Sequence, residues 1–217
     1  MKEDILEQLI EDWLISKTGM FVKHNIKFRP NANHKDYNSK LDSVHSDIDI
    51  LAISLITKNK IEAITVTCKS WQTGFNPKSW TADLEKKPKY NEKTMKHIPR
   101  EKWKHFRELA SDKWTQSFIQ KIFIETGQRN LTYYIAVTKL NGKYEDKLSL
   151  ENSEIIKKRF KKFKSSITIK LITIEEIVNE YFQRIESKET TSLESTDVGR
   201  FLQLINAAGL KIKRNGV

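Results

Sequence analysis

Two largely apolar runs between Ser46 and Lys69, separated by a short polar segment, predict two antiparallel β-strands. Successive side chains of a strand point to opposite faces, so every second residue shares a face. The polar residues at 57–60 (Thr-Lys-Asn-Lys) predict the hairpin turn between the strands. One face of the first strand would carry Asp47, Asp49, Leu51, Ile53 and Leu55, and one face of the second Ile61, Ala63, Thr65, Thr67 and Lys69.

This register predicts that an acid and a lysine lie side by side. Folding about the centre of the turn places Asp49 opposite positions 67 to 69, and directly opposed residues have Cβ atoms about 5 Å apart. An Asp–Lys pair such as Asp49 and Lys69 is most often a solvated surface pair, worth under about 1 kcal/mol. Both strands are otherwise largely apolar, which is typical of a sheet buried on both faces. Because a buried charge is costly unless it is paired or bound to a metal, the two residues are a candidate site.

The rest of the chain alternates between helical and strand patterns, which favours an α/β fold. A loop that reaches toward the candidate site is predicted over 29–45, and His45 in it is a weaker candidate for substrate contact. Thr173 and Glu176 form a predicted capping box. Helices are predicted over 3–17, over 100–126 with a possible break at Ser111–Asp112, and over 151–163, 173–185 and 198–208; further strands are predicted over 20–28, 131–140 and 167–172.

Length and composition predict one main domain with a small addition. The 217 residues suffice for a substantial core. The composition of 187–195 is that of a linker, so we expect a domain at 1–186 and a helical appendage at 196–217. A single cysteine excludes an internal disulfide, and no apolar run approaches the ~20 residues that span a bilayer. These features predict a cytoplasmic protein.

The charge balance predicts a polyanionic partner. The chain carries 39 basic and 28 acidic residues, for a net charge of +11. Basic residues are concentrated after the hairpin, where they are interleaved with aromatic ones. Basic side chains reach phosphates and aromatic rings stack on bases, whereas the alternative is that the aromatics are core residues and the lysines are solvated. The candidates for nucleic-acid contact are Trp71, Lys78, Trp80, Lys86, Lys87 and Lys89.

Two short motifs carry a resemblance to a known family. The segments 47–52 (Asp-Ile-Asp-Ile-Leu-Ala) and 66–69 (Val-Thr-Cys-Lys) resemble the two motifs of the PD-(D/E)XK nuclease superfamily. The predicted element order over roughly residues 1–140 is similar to that family's αβββαβ core. The resemblance therefore implies a restriction-endonuclease-like α/β fold, with a mixed central sheet flanked by helices.

The resemblance also implies roles for individual residues. Asp49 would bind a divalent metal, Lys69 would orient the attacking water, and the Cys68 carbonyl would be a further metal ligand. A glutamate of the first helix would point at the metal, with Glu7 as the first choice and Glu11 as the second. The family's acid before x-Lys is replaced here by Thr67, and Asp47 or the N-terminal glutamate could supply the missing carboxylate.

The function implied by the resemblance is a Mg²⁺- or Mn²⁺-dependent deoxyribonuclease of the restriction or defence kind. Its partner would be nucleic acid, above all double-stranded DNA, and a homodimer would suit double-strand cutting. Thr67 motivates an alternative, which is a catalytically impaired nucleic-acid-binding module on a nuclease-like scaffold. A third interpretation is a basic interaction protein with no nucleic-acid role.

Overall fold

The computed structural model describes residues 5–17, 20–57, 60–84, 89–91, 96–98, 105–187 and 193–210. In chain order its helices and strands are α1 (Ile5–Ile15), β1 (Met20–Phe28), α2 (Ser39–Asp42), β2 (Ser46–Thr57), β3 (Lys60–Lys69), α3 (Pro77–Leu84), β4 (Lys89–Asn91), β5 (Lys96–Ile98), α4 (Arg107–Ala110), α5 (Asp112–Thr126), β6 (Leu131–Val137), α6 (Tyr144–Glu151), α7 (Glu154–Lys162), β7 (Ile167–Thr173), α8 (Ile174–Glu186) and α9 (Asp197–Ala207).

The centre of the molecule is a five-stranded mixed sheet in the order β1-β2-β3-β6-β7. Strands β1, β2 and β3 are antiparallel neighbours, whereas β6 runs parallel to β3 and β7 runs parallel to β6. Strands β4 and β5 pair with each other in a separate two-stranded sheet. The prediction of an α/β fold with a mixed central sheet flanked by helices is therefore confirmed.

Hydrophobic clusters cover the sheet on both sides. The first cluster joins β6 to α5 and α7 and includes Tyr133, Phe118 and Phe160. The second joins the β2–β3 hairpin to α1 and α8 and includes Val66 and Tyr181. The prediction that the hairpin strands are buried on both faces is confirmed away from the turn, where Leu55 and Ile61 are exposed. A charged group among the buried positions is therefore poorly solvated.

Helix α5 and its neighbours show where the predicted helix boundaries were right and wrong. The predicted break is present, since α4 ends at Ala110 and α5 begins at Asp112. The helix predicted over 151–163 is present as α7, which begins later than predicted, at Glu154; α6, which was not predicted, precedes it, and a buried Ser153 lies between the two. The capping box of α8 is confirmed, since Thr173 Oγ1 accepts from the Glu176 N–H at 3.2 Å.

The C-terminal region predicted as an appendage contains α9, which packs against α1 and α8. Leu193 and Leu202 are buried in the second cluster, and the Val198 N–H donates to Asp12 Oδ2 at 2.9 Å. Core packing therefore joins this helix to the body of the protein. Within the described ranges, no helix combines the length and the apolar character needed to cross a membrane.

Candidate functional site

The predicted acid and lysine meet where β2 and β3 leave their shared ladder. The last ladder pair on this side is Ile50 with Val66, and Asp49 and Lys69 lie just beyond it. Lys69 Nζ is 3.7 Å from Asp49 Oδ2 and donates to the Cys68 carbonyl at 2.9 Å. The Cys68 N–H donates to Asp49 Oδ2 at 2.6 Å. The structure thus brings together the two groups that the hairpin register predicts to be neighbours.

Burial governs the electrostatics of Asp49, whose residue surface is 9% exposed. Desolvation raises the pKa of this carboxyl group, while the Lys69 ammonium and the Cys68 N–H act in the opposite direction and Asp47 adds to the rise. The Lys69 ammonium and the Cys68 N–H therefore stabilise the ionised form of Asp49. A second positive charge at this position would further stabilise the carboxylate.

A polar cavity of about 250 Å³ opens in front of these two side chains. Three acidic residues and several basic ones line it, so it can receive a charged ligand. The lining residues are His45, Ser46, Asp47, Asp49, Thr67, Lys69, His105, Arg107 and Glu108. We call this cavity the Asp49 pocket.

Glu108 is a pocket residue that sequence reasoning missed. It is 3% exposed and accepts a hydrogen bond from the Tyr133 hydroxyl. The same hydroxyl lies 2.8 Å from Thr67 Oγ1. The threonine that stands where the resembled family has an acid is therefore linked through Tyr133 to a buried carboxyl group.

The sequence feature that bears on the position of Glu108 is the helix break predicted at Ser111–Asp112. Glu108 lies outside the apolar stripe that a continuous helix over 100–126 would present, so that pattern gives no reason to place it in the core. The break at Ser111 separates α4 from α5, so Glu108 follows the geometry of a four-residue helix whose Leu109 and Ala110 are also buried. The break at Ser111 indicates only that Glu108 need not lie on a continuous helix, and its burial depends on the contact with Tyr133 of β6.

Glu108 predicts a specific pH dependence of stability. Burial raises its pKa, opposed by the Tyr133 hydrogen bond and the Lys69 charge. A carboxyl group with a raised folded-state pKa stabilises the protein below its unfolded pKa, and this stability is lost as pH rises through the folded pKa. Glu108→Gln removes the ionisation, so the variant's free energy of unfolding minus that of wild type should increase as pH rises.

Urea unfolding at a series of pH values measures this difference. Glu175→Gln is the matched control, because Glu175 is exposed on α8. We expect an upward trend for Glu108→Gln that the control lacks. A difference that stays flat with pH for Glu108→Gln would mean that Glu108 is not held as a desolvated acid.

Of the other predicted metal ligands, Asp47 lies at the Asp49 pocket, whereas Glu7 and Glu11 lie elsewhere. Asp47 lines the Asp49 pocket and is exposed. Glu7 lies on α1, whose buried side packs into the second cluster, and no α1 residue is among the described residues that line the pocket. Glu11 Oε1 instead contacts His24 Nε2 at 2.8 Å. The structure therefore does not bring either N-terminal glutamate to Asp49.

The residues predicted to contact nucleic acid also lie in different environments. Trp71 is half-buried and its ring meets the His105 ring with centroids 4.8 Å apart, which places it beside the pocket. Lys78 is exposed on α3. The prediction for Trp80 was wrong: it is 5% exposed and packs edge-to-face on Phe106, so its ring faces are not available to bases. Lys86 and Lys87 lie outside the described residues, and for Lys89 the backbone in β4 is described without its side chain.

The donors at the pocket suit one kind of metal ion. Asp49 and Asp47 offer carboxylate oxygens and Cys68 a carbonyl oxygen, which are ligands that Mg²⁺ and Mn²⁺ accept while retaining water. Across the described part of the chain, no three His, Cys, Asp or Glu side chains are grouped closely enough to hold a metal by themselves. The residues present therefore fit a partly hydrated ion rather than a closed protein cage.

Comparison of the chain with protein-family models, curated proteins and solved structures finds no match.

Proposed function

We propose that this protein is a metal-dependent endonuclease that hydrolyses phosphodiester bonds in DNA, of a restriction or defence kind. The observation that carries the proposal is the convergence of Asp49 and Lys69 at adjoining strand ends, 3.7 Å apart in a polar pocket. The element order from α1 through β1, β2 and β3 to β6 supports a restriction-endonuclease-like core.

The chemistry follows from the charge of the substrate. A phosphodiester repels nucleophiles, and Mg²⁺ or Mn²⁺, when bound, neutralises that charge and lowers the pKa of a coordinated water. Asp49, with Asp47 and the Cys68 carbonyl, would hold the ion. Lys69 would orient the attacking water and, with Arg107 at the pocket wall, would stabilise the negative charge of the transition state.

Thr67 has a positioning role in this proposal. Its hydroxyl cannot replace a carboxylate ligand, but it contacts the Tyr133 hydroxyl that also donates to Glu108. This chain of contacts connects β3, β6 and α4 behind the pocket. It would hold the β3 end, and with it Lys69, in a fixed position.

The second candidate is a nucleic-acid-binding module on a catalytically impaired nuclease-like scaffold. Two observations favour it: Thr67 stands where the resembled family has an acid, and no group of three metal-ligating side chains occurs among the described residues. The net charge of +11 serves DNA binding under either proposal. A homodimer would allow the proposed nuclease to cut both DNA strands. The proposed location is the cytoplasm, and the single free cysteine, Cys68, is consistent with it.

Incubation of pure protein with supercoiled and linear DNA separates the two candidates. With Mg²⁺ or Mn²⁺ the nuclease should nick or linearise the plasmid, and EDTA should stop the reaction, because the water then lacks its activating ion. A protein that shifts DNA in a gel but leaves it intact with every divalent ion would support the binding module and contradict the nuclease.

A further inference from the structure

A second and larger cleft adjoins the Asp49 pocket. Its volume is about 550 Å³, and His45 lines both cavities, so the two share a wall. Its walls come from the end of β1, from the 29–45 loop and from α5. The lining residues are Lys27, Phe28, Arg29, Pro30, Asn31, Ala32, Tyr37, His45, Ser117, Gln120, Lys121 and Ile124. We call it the β1–α5 cleft.

The loop wall of this cleft is fastened to α5. Lys113 Nζ on α5 donates to Asp42 Oδ2 at 2.5 Å and to the Asp36 carbonyl at 3.0 Å. The Asn38 N–H donates to the same Asp42 oxygen at 2.7 Å, and Asp42 is buried. Removing one partner of a buried ion pair is strongly unfavourable, so this tether keeps the wall in place. The cleft is therefore a built feature of the fold.

The cleft is cationic, and part of its charge is not neutralised. No carboxylate is among the described residues that line it. Lys121 is paired with Glu125 at 2.6 Å, whereas Lys27 and Arg29 are exposed and form no ion pair within the described part of the chain. Lys27 is also the ladder partner of Asp47, a residue of the Asp49 pocket. Lys27 and Arg29 therefore place two positive charges along the end of β1, with Lys27 beside the Asp49 pocket and Arg29 farther from it.

We propose that the β1–α5 cleft binds the DNA strand that leaves the Asp49 pocket, with Lys27 and Arg29 contacting successive backbone phosphates. The proposal rests on the proposed nucleic-acid function and assigns the strand's path. A cleft of this volume is in the range that holds a ligand of nucleotide size. Tyr37 supplies a half-buried ring and Ile124 an exposed apolar side chain for a sugar or base, and Ser117 and Gln120 supply hydrogen-bonding groups.

The test measures binding, so that it does not depend on cleavage. Fluorescence anisotropy with a labelled DNA duplex in EDTA, over a salt series of about 50–200 mM, compares wild type with the Lys27→Ala/Arg29→Ala variant. The matched control is Lys158→Ala/Lys161→Ala, which removes the same charge from exposed positions on α7. Losing two phosphate contacts should weaken binding about tenfold or more and lower the slope of log affinity against log salt by about 2.

The outcomes distinguish a failure of the proposed strand path from a failure of the proposed function. The strand path is supported if the affinity and the salt slope of Lys27→Ala/Arg29→Ala change well beyond those of the control. If wild type binds DNA and the two double variants behave alike, the strand path is wrong while the proposed function stands. If wild type binds no DNA at any salt concentration, both are overturned.

Discussion

Replacing Lys69 with alanine is expected to lower the rate of the proposed metal-dependent DNA cleavage by about 10²–10⁴-fold, the range typical of a group that assists proton transfer at the reacting atoms. The Lys69 ammonium lies 3.7 Å from Asp49 and contacts the Cys68 carbonyl, so its loss removes the cation that would orient water at the pocket. DNA binding should survive, because the proposed phosphate contacts elsewhere would supply most of the affinity.

The matched control for this prediction is Lys170→Ala, an exposed lysine on strand β7. It removes the same charge from a strand without touching the pocket, and cleavage should remain near the wild-type rate. Initial rates of plasmid linearisation measure the effect, with circular dichroism to verify folding. Cleavage that persists unchanged in Lys69→Ala would assign the activity to a contaminant or to another site.

Replacing Phe106 with alanine is expected to lower the free energy of unfolding by about 3–5 kcal/mol. Phe106 is fully buried, and its ring meets those of Trp71, Phe75 and Trp80 edge-to-face with centroids 5.4 to 6.3 Å apart. Truncation removes these contacts and leaves a cavity between α3 and the start of α4. The residues that follow, Arg107 and Glu108, line the Asp49 pocket, so the pocket should loosen as well.

Urea or guanidinium unfolding at fixed pH measures this effect. Phe201→Ala is the control, because Phe201 is 61% exposed on α9 and its loss should change the free energy of unfolding by no more than about 0.5 kcal/mol. Equal effects of the two substitutions would show that the aromatic cluster does not form the core that the packing describes.

The hairpin could be predicted from sequence because its information is local. Two largely apolar runs with a short polar segment between them specify which residues of β2 and β3 oppose each other, although Thr57 and Lys60, predicted as turn residues, pair as strand residues. That register placed Asp49 opposite positions 67 to 69, and the last ladder pair on this side, Ile50 with Val66, agrees with it. The break at Ser111 and the capping box at Thr173 are local signals of the same kind, and both were read correctly.

The features that escaped prediction depend on contacts between distant parts of the chain. Glu108 meets Tyr133 because α4 packs on β6, and no short-range pattern specifies that contact. An aromatic residue in a basic segment has the same sequence signature whether it packs in the core or stacks on bases, which is why Trp80 was misassigned. Glu7 was assigned by family resemblance, and α1 instead buries its apolar stripe against the opposite face of the sheet.

The position of a bound Mn²⁺ tests the central claim most directly. Crystals soaked in Mn²⁺ should show an anomalous-scattering peak in contact with the Asp49 carboxylate, beside the Cys68 carbonyl and within reach of Lys69. An ion bound only elsewhere, or an experimental structure in which Asp49 and Lys69 point to opposite sides of the sheet, would contradict the proposal that these two strand ends form a metal-dependent nuclease site.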